Sequence, residues 1–142
     1  MKMFKWLFSS LIIIIALSFS HAQPVSLKVN SEKSSVNWLG KKLLGQHEGV
    51  VSIAEGSVVM NNGVLGGGEF SIDMTTIACT DISDADMNAK LIGHLKSDDF
   101  FSVQKNPTAT LKITRVLRLT DPTKSGNYYQ VTADLTIKGI KH

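Results

Sequence analysis

Cysteine is nearly absent from this sequence: Cys79 is the single thiol among 142 residues. One cysteine cannot form an intrachain disulfide, which excludes the disulfide-stabilised scaffolds that many small exported proteins use. We therefore expect Cys79 to be buried as a small apolar side chain, with a reactive thiol as the alternative.

The sequence also has little excess charge, with 15 basic and 12 acidic side chains. No stripe of basic residues with interleaved aromatic residues is present, so the charge pattern gives no support to nucleic acid as a partner.

Motifs for catalysis are also scarce. The glycine-rich residues 66–70, "GGGEF", precede a strand pattern and lack the Lys-Ser/Thr ending of a phosphate-binding loop. Nothing resembles the nucleophile elbow of a serine hydrolase. His47 and His94 could meet in space and form a metal site with Glu48 or Asp98, although their spacing fits no local metal-ligand motif. A small hydrolase or metal-dependent enzyme using His47, His94 and Asp98 therefore stays open as an alternative, but we expect no metal, no cofactor and no catalytic residue.

The chain begins with the pattern of a secretory signal peptide. Two lysines precede an apolar run over residues 7–19, and residues 20–22 are Ser-His-Ala, with small side chains where signal peptidase reads. The run is shorter than the roughly 20 residues that span a bilayer. We predict cleavage near Ala22 and a periplasmic or secreted location. Residues 23–142 then form a single domain of 120 residues, with net charge +1 from 13 basic and 12 acidic side chains.

Alternation of apolar and polar residues dominates this domain, which indicates an antiparallel sheet with one buried face. Residues 128–137 alternate throughout, and Phe70, Ile72 and Met74 share one face. Many short strands joined by glycine-rich turns predict a barrel or a sandwich.

The middle of the chain is predicted to hold three short strands, cut by turns at residues 55–56, 61–63 and 66–68. The Asn-Gly pair in the second turn is a strong hairpin signal, because both residues tolerate positive φ. A helix is predicted from Asp84 to Leu95, where the apolar residues follow helical spacing.

Two acids and two aromatics follow this helix. Asp98 and Asp99 are neighbours, so on a strand they point to opposite faces and cannot form a facing catalytic pair. We expect them to serve the loop by accepting hydrogen bonds from nearby amides. Of Phe100 and Phe101, we expect one to enter the core and the other to pack beneath the helix.

The strand pattern leaves a set of inward-facing apolar residues that either fill a barrel or line an elongated cavity. Periodicity does not distinguish these two arrangements, so a filled structural barrel without ligand stays open. The set comprises Val51, Ile53, Phe70, Ile72, Leu111, Ile113 and Leu135.

Four blocks of the sequence together resemble the YceI-like family in the order in which that family carries them. These are "WLGKKLLGQHEGVVSIAEG", "GGEFSIDMTTIACTD", "HLKSDDFFSVQKNPTATLKIT" and "LTIKGIKH". The resemblance covers nearly all of the domain.

The resemblance implies a mainly β protein: an antiparallel lipocalin-like barrel with one short helix, of a size that encloses one ligand. It further implies an exported binding protein for a long-chain amphiphilic lipid of the polyisoprenoid or isoprenoid quinone type. The membrane would be only a transient partner, as the source of the lipid. Beside the inward-facing set, the expected apolar tunnel then includes Trp38, Leu95, Phe100 and Phe101.

Family members usually continue beyond the last matching block with further strands, whereas this sequence stops at His142. An incomplete barrel is therefore expected. It would expose a strand edge, through which a homodimer could form.

Overall fold

The computed structural model describes residues 23–120, Thr123 and residues 125–142; the predicted signal peptide lies outside them. The described residues form seven strands and one α-helix, which confirms the mainly β class. No described helix has the length and apolarity to cross a membrane. In chain order the elements are β1 (Val25–Lys28), a 3-10 turn (Ser31–Lys33), β2 (Ser35–Lys41), β3 (Gln46–Asn61), β4 (Val64–Cys79), α1 (Ala85–Lys96), β5 (Thr108–Leu119), β6 (Tyr128–Ile137) and β7 (Ile140–Lys141).

The strands form one antiparallel sheet in the order β1-β3-β4-β5-β6-β7. The strand β2 also pairs with β3, along residues 46–52, whereas β1 pairs with residues 57–60. Among the described residues no strand pairing joins this side of the sheet to β6 or β7. The sheet is therefore open, in agreement with the predicted unclosed barrel; the predicted homodimer stays a prediction.

The hairpin between β3 and β4 confirms the predicted Asn-Gly turn, with φ of 51° at Asn62 and 78° at Gly63. The prediction of three short strands is wrong, because β3 and β4 are each 16 residues long and run through the other two glycine sites. Gly56 serves close packing here: a Cβ on it would lie 2.8 Å from the Phe70 ring.

The helix α1 begins where the sequence predicts. The Asp84 side chain accepts a hydrogen bond from the Met87 amide at 2.9 Å, which satisfies one of the free N–H groups of the first turn. Leu95 is the buried residue of the helix and joins the apolar core.

A wide bulge interrupts β4 opposite Val51. Val50 pairs with Ala78 and Ser52 pairs with Asp73, so four β4 residues face a single β3 residue. Hydrogen bonds fix this bulge: Asp73 accepts from the Thr75 amide at 3.0 Å and the Thr76 hydroxyl accepts from the Ser52 amide at 2.9 Å. Because of the bulge, β4 side chains before and after it both face the core, although the regular alternation of a strand would place them on opposite faces.

Candidate functional site

An apolar cavity of about 650 Å³ lies between strands β2–β6, helix α1 and the loop of residues 97–107. Every described residue that lines it is apolar. Its volume falls in the range of about 300–1,000 Å³ that is usual for small-molecule sites.

The structure places ten of the eleven residues predicted for the tunnel in the lining of this cavity. Their contact with a ligand stays a prediction. They are Trp38, Val51, Ile53, Phe70, Ile72, Leu95, Phe100, Phe101, Leu111 and Leu135.

Ile113 is the exception: it does not line the cavity. The pairing between β4 and β5 runs from Asp73–Thr108 to Glu69–Lys112, so Ile113 lies just beyond its end. Alternation places Ile113 on the same face of β5 as Leu111, but the cavity does not extend that far along the strand.

Sequence reasoning missed seven lining residues. The bulge explains Ile77, which lies three positions after Met74 and would face the other side of a regular strand. Met74 itself shares the face of Phe70 and Ile72 and could have been found from their alternation. Met74 and Ile77 are both buried in the core cluster. Ala109 and Ile137 follow the alternation of Leu111 and Leu135 and could have been found from it. The seven are Val36, Leu39, Gly40, Met74, Ile77, Ala109 and Ile137.

Two aromatic rings form one wall of the cavity at the loop. Phe101 packs against the buried core, as expected for one of the pair. Phe100 is 46% exposed and contacts Phe101 edge-to-face, with ring centroids 4.6 Å apart. Its ring also lies 6.0 Å from that of His94 at the end of α1. Phe100 thus meets the helix only at its end, through His94, and its packing beneath the helix stays a prediction.

Hydrogen bonds hold the loop that carries these rings. The Asp98 carboxylate accepts from the Ser102 hydroxyl at 2.5 Å and from the Lys105 ammonium at 2.6 Å. These two donors, Lys105 first, lower the pKa of Asp98. Lys138 in the β6–β7 turn donates to the Asp98 carbonyl oxygen at 2.7 Å. Asp98 therefore serves the loop, as the sequence predicts, but the donors to its carboxylate are a hydroxyl and an ammonium group instead of the predicted amides.

Trp38 lines the cavity from β2, where this strand pairs with β3. Its indole N–H donates to the Ala78 carbonyl oxygen at 3.0 Å. The polar edge of the indole is thus satisfied inside the protein, and its carbon surface remains for the cavity.

A small polar cluster joins the start of β3 to the end of β4. The Asp81 carboxylate accepts from the Cys79 thiol at 3.0 Å and from the Glu48 amide at 3.2 Å, and it lies 3.1 Å from His47 Nδ1. These contacts, the thiol first, lower the pKa of Asp81 to about 2. Burial, reinforced by the Asp81 hydrogen bond, raises the pKa of the Cys79 thiol. Cys79 therefore has the buried, thiol-form character that was expected of it.

The alternative enzyme site does not assemble from its three predicted members. His47 contacts Asp81, His94 contacts the Phe100 ring, and Asp98 is bound to Lys105. In the part of the chain that the structure describes, no three His, Cys, Asp or Glu side chains are grouped as metal ligands.

In a comparison with known families, the family model described as a YceI-like domain aligns with residues 27–142. A comparison with curated proteins finds no match. The aligned residues include every strand that bounds the cavity.

Proposed function

The chain belongs to the YceI-like family, and on that premise we propose that it binds a long-chain amphiphilic lipid of the polyisoprenoid or isoprenoid quinone type in the apolar cavity. The protein is proposed to act as an exported binding protein, with no chemical step on its ligand.

The observation that carries this proposal is the uniform chemistry of the lining. All 17 residues around the cavity of about 650 Å³ are apolar, from Val36 on β2 to Ile137 on β6. An apolar cavity excludes ordered water and favours hydrocarbon. Each buried methylene contributes about 0.8 kcal/mol to binding, so a long chain gains affinity in proportion to the length it buries.

The same lining indicates how the lipid would be oriented. No side chain of the lining offers a charge or a free hydroxyl to a head group, and burying an unpaired polar group costs free energy. The head group of the ligand is therefore expected to remain in water where the lining is exposed, beside Leu39 or Phe100, with the isoprenoid chain inside.

The other two readings of the sequence are supported less well. A filled structural barrel would pack side chains throughout the space that the cavity occupies. A hydrolase or metalloenzyme would need convergent polar side chains in the cavity, whereas Asp98 is held by Lys105 in the loop.

The test is mass spectrometry of organic extracts from the purified protein, followed by titration with prenols of increasing chain length. We expect a copurified lipid, and an affinity that rises about fourfold per buried methylene until the cavity is full. Extracts without lipid, together with binding that is independent of chain length, would overturn the proposal. An activity abolished by Asp98→Asn in a folded protein would instead support the enzyme alternative.

Export is a separate part of the proposal, supported by the signal-peptide pattern. N-terminal sequencing of the protein from its host should begin near Gln23. An intact Met1 on membrane-retained protein would mean that the apolar run is an anchor. Light scattering on the same sample tests the homodimer.

A further inference from the structure

Two leucines at the tip of the β2–β3 hairpin have side chains that are almost fully exposed to solvent. Leu43 is 100% exposed and Leu44 is 86% exposed. The turn itself is closed by other atoms, since the Lys42 amide donates to the Gly45 carbonyl oxygen at 3.0 Å and Gly45 has a φ of 110°. The leucine side chains therefore contribute little to the turn, and their exposure calls for a partner.

Positive charge accompanies these leucines. Lys41 and Lys42 directly precede them, and both lysines are exposed. A short apolar tip with adjacent lysines matches the boundary of an anionic bilayer, where apolar side chains enter the acyl region and ammonium groups meet the lipid phosphates.

The tip is also continuous with the cavity. Leu39 and Gly40 line the cavity, and the two lysines of the tip follow directly, with Lys41 as the last residue of β2. A surface that holds the tip would therefore lie next to the lipid-binding space.

We propose that residues 41–44 dock this protein on an anionic lipid bilayer, so that a lipid chain passes between the membrane and the cavity. The proposal rests on the lipid-binding function proposed above and names the membrane as its partner. It assigns the transfer step to the hairpin tip.

The size of the tip favours a bilayer over a protein partner. A stable protein interface buries about 800 Å² on each side, from roughly 20–30 residues. A tip of two leucines and two lysines is much smaller than this. Shallow insertion into a fluid bilayer needs no complementary partner surface.

The experiment is vesicle flotation of the full chain with phosphatidylcholine vesicles, with and without phosphatidylglycerol. Leu43→Ser combined with Leu44→Ser should weaken vesicle binding about tenfold or more, because the apolar insertion is lost. The matched control is Leu117→Ser with Leu119→Ser, which removes two exposed leucines from β5 and should leave vesicle binding unchanged.

The charge contribution is tested separately. Lys41→Gln with Lys42→Gln should weaken binding to vesicles that contain phosphatidylglycerol about tenfold, and leave binding to pure phosphatidylcholine unchanged. Lys33→Gln with Lys90→Gln removes two exposed lysines elsewhere and serves as the control.

Flotation could also be caused by the apolar N-terminal run, so a dye attached at the tip is used to report on the tip alone. Leu44→Cys offers an exposed thiol for an environment-sensitive dye, whereas the native Cys79 is buried. The dye should shift to the blue when vesicles are added. If the dye emission does not shift, or if the tip variant and its control bind vesicles equally, the docking proposal is overturned. A protein partner would then be the alternative explanation for the exposed leucines.

The outcome can be separated from that of the proposed lipid binding. Neither Leu43 nor Leu44 lines the cavity, so the serine variant should bind a short soluble prenol as well as the unchanged protein does. Normal prenol binding without vesicle docking would reject only this inference. Vesicle docking without prenol binding would reject the lipid-cavity function and the transfer step, and leave the tip as a membrane contact.

Discussion

Trp38 lies over Gly49, its cross-strand partner on β3. A Cβ built on Gly49 would be 2.7 Å from two carbons of the indole and 1.9 Å from the Ala78 carbonyl oxygen. The same carbonyl oxygen accepts the hydrogen bond of the indole N–H. The absence of a side chain at Gly49 therefore lets Trp38 lie close to the backbone while it forms part of the cavity wall.

Replacing Gly49 with alanine should destabilise the protein by about 3 kcal/mol, because the new Cβ would displace the backbone of β4. Urea unfolding measures the change. Gly67→Ala is the matched control, since a Cβ at Gly67 in β4 meets no atom within 4 Å. The interpretation of Gly49 fails if both variants have the same free energy of unfolding as the unchanged protein.

Much of the fold could be predicted from local sequence, because strands and turns here follow local rules. Alternation identified the buried face, and Asn62-Gly63 identified the turn between the two longest strands. The length of those strands could not be predicted, since glycine signals both a turn and close packing. Gly56 serves the second purpose, against the Phe70 ring, and only the neighbouring strand reveals this.

Asp84→Ala should destabilise the protein by about 1 kcal/mol, because the Met87 amide would lose its hydrogen-bond acceptor. Thermal unfolding of the purified protein measures this loss. Asp86→Ala removes an acid from the same first turn and is the control. It should cost less, since its charge acts only on the helix dipole. Equal losses in the two variants would show that the cap contributes nothing beyond its charge.

Asp81 should make stability fall as the pH is lowered from about 4 to about 2. Its pKa is lowered from 3.8 to about 2 in the folded protein, first by the Cys79 thiol and then by the Glu48 amide and His47. The unfolded chain therefore binds the proton at a higher pH, and acid favours unfolding. Above that window the stabilisation is fully present.

Urea unfolding at a series of pH values tests the role of Asp81. Asp81→Asn should flatten the dependence between pH 2 and pH 4, about where the pKa of the carboxyl is displaced. Asp99→Asn, an exposed acid in the α1–β5 loop, should retain the dependence of the unchanged protein. An Asp81→Asn variant with the same slope as Asp99→Asn would show that other carboxyls govern acid unfolding.

The cavity was harder to predict than the fold, because its limits depend on where strands pair. Ile113 obeys the alternation of β5 but lies beyond the last residue that pairs with β4. Ile77 reaches the same core as Met74, three positions before it, because a bulge places four β4 residues opposite Val51. Pairing limits and bulges arise from contacts between distant segments, which periodicity within one strand does not contain.

Leu111 and Ile113 give the sharpest test of the cavity, since they are two residues apart on one strand. Leu111→Trp should fill part of the cavity of about 650 Å³. Affinity should then stop rising at a shorter prenol chain length than in the unchanged protein. Each methylene that is excluded should cost about 0.8 kcal/mol of binding free energy, so the loss should be largest for long chains. Ile113→Trp should leave the dependence on chain length unchanged, because Ile113 does not line the cavity.

Thermal unfolding establishes that each variant is folded, and Ile113→Ala replaces the tryptophan variant if the larger side chain is not tolerated. Fluorescence titration with prenols of increasing length measures both series. If Ile113 variants shift the length limit as Leu111→Trp does, the ligand extends beyond the β4–β5 pairing and the tunnel predicted from the sequence is the better description.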